Sequence, residues 1–169
     1  MATASAILAR VRRREKALHL YGQRSDVAAL AWSWADRQLA TAGTYWVVGQ
    51  AQGHPHPRPV WGVWHGQRLH LSIGSPTLRR SIREERAVTV HLDSGTDVVI
   101  VEGIAAPAVP TTPALLEAYK RKYDWDYQVS QYGDLTQLEP TKILAWRTAG
   151  VAGRDSFQET GCWVFDGAD

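Results

Sequence analysis

Arg58-Pro59-Val60-Trp61-Gly62-Val63-Trp64, then, after the turn His65-Gly66-Gln67, Leu69-His70-Leu71-Ser72-Ile73-Gly74-Ser75-Pro76-Thr77-Leu78-Arg79-Arg80, is the stretch on which the reading of this chain turns. Two β-prone runs separated by a short polar turn predict a hairpin over His56–Trp64 and Arg68–Ile73. Gly74-Ser75-Pro76 then opens a helix over about Thr77–Glu85, with Ser75 placed to cap it and Pro76 tolerated in its first turn. Strand alternation puts Arg58, Val60, Gly62 and Trp64 on one face and Pro59, Trp61 and Val63 on the other. Guanidinium forks, serine hydroxyls and the N–H groups of a helix start are the groups a phosphate needs. A glycine at position 62 lets a ring or another backbone approach closely, so its side of the strand is expected to face a ligand. Tryptophans beside it can line a flat ligand.

Outward from that hairpin, the pattern is one of short strands. Thr44–Ala51 precedes it, Ala87–Asp93 and Val98–Ala106 follow as a pair joined by Ser94-Gly95-Thr96-Asp97, and Thr141–Thr148 and Cys162–Phe165 read as the last two. Thr111 or Thr112 can cap a helix from Pro113 to Lys122, and an aromatic-rich loop runs from Tyr123 to Leu138. Ala6–Leu20 has helical composition, and Ser25 or Asp26 can cap a second helix over Val27–Leu39. The expected organisation is an N-terminal helical segment, 1–42, ahead of a β domain, 43–169. Close-spaced strands with few helices point to a barrel and not to a βαβ sheet, and no strand–glycine-rich loop–helix unit supports a Rossmann site.

Composition narrows the function classes. The 169 residues suit one domain, and the 44% hydrophobic and 21% charged content is that of a globular protein with a real core. A net charge of +2 gives no footprint for nucleic acid. No apolar run is long enough to cross a membrane. Arg12-Arg13-Arg14 is not followed by an apolar stretch, so no export signal is expected and the chain is read as cytoplasmic. A single cysteine, Cys162, excludes an internal disulfide. His54 and His56 have strand spacing, but no further ligand motif accompanies them, so no metal is expected. Asp124, Asp126 and Asp134 lack the spacing of a calcium loop; with Tyr123, Trp125, Tyr127 and Tyr132 they read equally as a substrate-facing flap or a packed surface loop. Gly-x-Ser-x-Gly does not occur, which disfavours hydrolase chemistry.

From about Gly43 to Thr148 the chain resembles the split-barrel flavin-binding proteins related to pyridoxamine 5′-phosphate oxidase, including their deazaflavin-dependent reductase branch. Arg58 with Val60 and Trp61 matches the family's strand arginine and the residues beside the isoalloxazine. Val101-Glu102-Gly103 matches a family strand, and Lys142–Arg147 resembles the last strand of the reductase branch. The phosphate triplet is replaced by Thr77-Leu78-Arg79-Arg80. The glutamine-bearing run before the Val-Glu-Gly strand is replaced by Asp97-Val98-Val99, and the oxidases' C-terminal Arg-x-His pattern is missing. The resemblance implies a mainly β, FMN-binding split β-barrel with peripheral helices, homodimeric, holding FMN or a deazaflavin of the coenzyme F-420 type in a groove between subunits. It implies that Arg58, Ser72, Ser75, Arg79 and Arg80 hold the phosphate and that Val60, Trp61, Gly62 and Trp146 contact the ring. The implied activity is hydride transfer between that cofactor and a small organic substrate. A non-enzymatic flavin- or haem-binding carrier or sensor is the alternative. The catalytic acid is not identified; Tyr127 and His56 are candidates if solvent does not supply the proton. The basic run Arg10–Lys16 suits either a solvated face or the acidic tail of a deazaflavin.

Overall fold

A computed structural model describes residues 13–18, 20, 26–106, 109–150 and 157–165. In chain order the elements are β1 (Arg13–Lys16), β2 (Ala28–Ala29), α1 (Trp32–Thr41), β3 (Tyr45–Ala51), β4 (His54–His65), β5 (Arg68–Ser72), α2 (Pro76–Glu84), β6 (Ala87–His91), β7 (Asp97–Ala105), α3 (Pro113–Tyr123), α4 (Val129–Tyr132), β8 (Thr136–Thr148) and β9 (Phe157–Phe165). The mainly β architecture expected from the sequence is present: a large, almost wholly antiparallel sheet with few helices.

Both early hairpins are tight for a local reason. Gln52 and Gly53 carry φ of 53° and 77°, and Gly66 and Gln67 both carry 58°, so each two-residue loop has positive φ throughout. That geometry matches the right-handed twist of the flanking strands. The strands pair in the order β1-β9-β8-β5-β4-β3-β6-β7, and β7 pairs in turn with β8, so six of them close a ring. One edge of β8 runs against β7, while its other edge is divided between β5 at 136–138 and β9 at 142–148. Thr141 takes up the register shift between Glu102 and Gly103, its hydroxyl donating to Glu102 O at 3.1 Å. That irregularity lies beside Pro140, which has no N–H to give a ladder.

Leu39, Val47, Leu71, Val90 and Ile143 are among the residues that fill the ring, and α1 packs against it through Ala35 and Leu39. Trp64 Nε1 ties the hairpin to α1 by donating to Asp36 Oδ1 at 2.8 Å.

Three expectations are corrected. Arg13–Lys16, expected in a helix, is a strand on β9, with Arg13 opposite Phe165 and Lys16 opposite Cys162. Packing explains the override: the Arg13 guanidinium lies 4.5 Å over the Trp32 ring. Residues 6–12 and 19 of that expected helix, and Arg10–Arg12 of the basic run, lie outside the described residues. Ala28 and Ala29 pair in parallel with Glu159 and Thr160, so the helix expected from Val27 starts at Trp32. Its N-cap is Ala31, without a side-chain bond, in place of Ser25 or Asp26. The last two strands are longer than expected, beginning at Thr136 and Phe157, which trims the aromatic loop and gives it the short helix α4.

Candidate functional site: an arginine, two serines and an aromatic wall

The hairpin β4–β5 sets Trp61 opposite Ser72. Ser75 caps α2, its Oγ accepting from Leu78 N at 3.2 Å, and this holds the chain after β5 close to the hairpin. Over the same face lies α3, capped by Thr112 and ended by Asp124 in the left-handed conformation at φ 50°. Tyr119 and Tyr123 stand one turn apart on α3, so both reach the hairpin. Tyr123 stacks on Trp61, with ring centroids 5.2 Å apart and planes 14° from parallel. Trp125 meets Trp61 edge-on at 5.8 Å, and Tyr132 meets Trp125 at 5.3 Å.

These residues enclose a cleft of about 420 Å³ in which Arg58, Val60, Trp61, Ser72 and Ser75 come together with Tyr119, Trp125 and Tyr132. The Tyr119 side chain is fully buried, and the Ser72 side chain is the polar group beside its hydroxyl. Burial holds that phenol well above the usual tyrosine range, with neighbouring Tyr123 and Tyr127 adding to the effect. At neutral pH it is therefore a hydrogen-bond donor and not a base. Arg58 is exposed, and its Nη1 donates to Pro57 O at 2.7 Å, leaving further N–H groups free.

Beneath the cleft the backbone of β4 is held from outside the sheet. Gly62 O accepts from Tyr123 Oη and from Lys122 Nζ, both at 2.9 Å. Lys122 Nζ also donates to Tyr45 Oη at 2.7 Å and lies 4.5 Å over the Tyr45 ring. Burial lowers the Lys122 ammonium to about 8.

The remaining residues read from the sequence are placed elsewhere. Gly62 faces the interior of the ring: a Cβ there would lie 2.6 Å from His70 O and 2.9 Å from Leu71 Cδ2. Its close approach is to the neighbouring strand, which corrects the expectation that its side of the strand opens onto a ligand. Arg79 lines an adjoining cleft, its Nη2 donating to Tyr132 O at 2.8 Å and its Nε to Ile73 O. Arg80 is exposed on α2 and lines neither cleft. Trp146 sits opposite Val98 and Thr160, far along β8 from the end that meets β5, and does not line the Arg58 cleft of its own chain. Tyr127 Oη donates to Gly133 O at 3.1 Å, and His56 faces Gly49 across the β3–β4 ladder. Neither lines the cleft. Tyr119 and Lys122 were missed. The four-residue spacing of Tyr119 and Tyr123 on an expected helix was the available signal for the first. Among the described residues no three His, Cys, Asp or Glu side chains gather as a metal site, and no helix is long and apolar enough to cross a membrane.

No family model and no curated protein matches the chain. Solved structures share its fold. A conserved hypothetical protein of Mycobacterium tuberculosis aligns at a TM-score of 0.57 with 15% identity, over 74% of this chain and 89% of that one. An FAD-binding protein of Mesorhizobium loti aligns at 0.53 with 11% identity, over 80% and 96%. A haem-binding protein of Mycobacterium smegmatis aligns at 0.53 with 15% identity, over 73% of this chain and 57% of that one. At these identities the likeness is one of fold.

Proposed function

We propose that the Arg58 cleft binds a flavin-type cofactor, FMN or a deazaflavin of the coenzyme F-420 type, and that the chain is an oxidoreductase moving a hydride between that cofactor and a small organic substrate. The observation that carries this reading is the meeting in one cleft of Arg58, Val60, Trp61, Ser72 and Ser75. The donor set fits such a group: Arg58 and two hydroxyls for a phosphate, an indole wall for a ring, and a buried Tyr119 hydroxyl beside Ser72. The fold shared with an FAD-binding protein supports it.

The cofactor when bound supplies the hydride chemistry; the protein binds, orients and shields. Arg58 offers a fork to the phosphate, and Ser72 and Ser75 offer O–H donors, since the Ser75 oxygen is already accepting from the α2 backbone. Arg79 adds mainly charge, because two of its nitrogens donate to backbone carbonyls, and Arg80, which lines neither cleft, adds only charge at longer range. Trp61, Trp125 and Tyr132 exclude water from one side. Val60 lines the cleft while Gly62 lets β4 and β5 lie close behind it. In this proposal a second copy of the chain closes the groove and brings its own Trp146 to the ring, as a homodimer.

The carrier or sensor reading is favoured by one observation: among the described residues no His, Asp or Glu lines the cleft, which leaves tyrosine hydroxyls as its proton-bearing side groups of acid type. The haem-binding neighbour keeps haem within that reading. Titration of the purified protein with FMN, deazaflavin and haem, followed by fluorescence and absorbance, tests both. Saturable binding of either flavin, weakened at least tenfold by Arg58→Ala, together with turnover on electron-poor enones or quinones, is the expected result. Binding without turnover across such a panel assigns the carrier reading. Failure of both flavins to bind overturns the proposal.

A further inference from the structure

We infer that the adjoining cleft, between α2 and residues 132–137, is a separate binding site for a small amphipathic anion: a carboxylate or phosphate head on an apolar body. Its volume is about 460 Å³, within the range of small-molecule sites. Among the described residues, Tyr132 alone lines both clefts.

In this cleft, charge is set against an apolar wall. Arg79 and Arg83 stand one turn apart on α2, and Arg86 follows two residues after its end. All three line the cleft. The carboxylate in the lining, Asp134, is engaged, its Oδ1 accepting from Thr111 N at 2.7 Å. Arg86 Nε donates to Ala105 O at 2.6 Å, and Arg79 donates to Ile73 O and Tyr132 O. Neutral carbonyls thus fix two guanidinium groups in place without cancelling their charge, and both keep N–H groups free. Arg83 has no hydrogen-bond or ion-pair partner among the described residues. Solvated arginines on a helix face need no cleft, but these share one with the buried side chains of Ile82 and Leu135 and with Val109, which is 37% exposed. Positive forks beside an aliphatic wall that opens to solvent at Val109 match a ligand with an anionic head and an apolar remainder. A purely inorganic anion would leave that wall wet, and a neutral lipid would leave the guanidinium groups unpaired.

Isothermal titration of the full chain with decanoate and with decyl phosphate tests the site and tells the two heads apart. Saturable one-to-one binding of at least one is expected, with decanol at least tenfold weaker. Arg83→Glu should weaken it at least tenfold and Arg83→Gln by a smaller factor. Arg37→Glu, an equal charge change on α1, and Arg58→Ala, in the other cleft, should each change it less than twofold. Circular dichroism checks that the variants are folded, and Arg83→Gln keeps the test valid if the charge reversal disturbs α2. No saturable binding of either probe overturns the inference. So does binding that survives both Arg83 variants, or binding lost in Arg58→Ala, which would assign the anion to the proposed cofactor cleft. The flavin reading stands or falls separately, on the flavin titrations.

Discussion

The interior of the strand ring and the layer beneath α3 are both buried but are made of different materials. The ring is filled mainly by aliphatic side chains such as Leu39, Leu71, Val90 and Ile143. The smaller cluster under α3 gathers Tyr119 and Tyr127 around Val63, Leu115 and Leu135, with Tyr123 and Tyr132 at its border. Aliphatic packing is non-directional and leaves no polar atoms to satisfy, so it yields stability without chemistry. Each tyrosine carries a hydroxyl that must find a partner. Tyr123 finds Gly43 O and Gly62 O, Tyr127 finds Gly133 O, and Tyr119 has the Ser72 side chain beside it. Tyr119 and Ser72 meet where the Arg58 cleft opens. In the function proposed above, this polar layer is the one that meets the ligand.

The largest test of this division is Gly62→Val. With a Cβ 2.6 Å from His70 O, the branched side chain overpacks two strands and should cost about 3 kcal/mol of stability in urea denaturation. Unchanged stability with lost flavin binding would return Gly62 to the ligand side.

His70 gives the next effect, one of pH. It is 6% exposed, and burial chiefly lowers its pKa from 6.5 to about 4. The unfolded chain therefore binds the proton more readily than the folded one. Stability from this group is complete above pH 6.5 and is lost as pH falls towards 4, by about 2–3 kcal/mol. His70→Leu should flatten that part of the stability curve; an unaltered slope would move the effect to the carboxylates.

Trp61→Ala should separate the two regions more sharply. The indole is 49% exposed and belongs to the aromatic wall. Flavin affinity should fall about tenfold, ~1.4 kcal/mol, while the thermal midpoint moves little. A large drop in the midpoint instead would make Trp61 a packing residue. The smallest effect belongs to Thr112→Ala, which removes the α3 cap bond to Leu115 N and should cost about 1 kcal/mol. Flavin binding should persist once α3 is docked, and its loss would mean that the cleft depends on the first turn of the helix.

Much of this architecture could be read from the residues because it is local. The alternation of β3 to β7, the glycine-bearing turns, and the Ser75 and Thr112 caps followed by proline are fixed by neighbours within a few positions. The gathering of Arg58, Val60, Trp61, Ser72 and Ser75 was legible for the same reason, since a tight hairpin and a capped helix bring them together. Arg13–Lys16 was not legible, because only pairing with a strand nearly 150 residues away overrides its helical composition.

By itself, then, the sequence determined the mainly β class, the order of most strands, and an arginine–serine–tryptophan hairpin, all through short-range periodicity and turn chemistry. The tertiary structure alone decided which way Gly62 faces, because that depends on how closely β5 lies behind it. It also decided that Trp146 stays out of its own chain's cleft, and that Arg79 leaves the Arg58 cleft for a second one beside Arg83 and Arg86. Each of these depends on the packing of segments distant in the chain, and residue type and spacing carry no record of that packing.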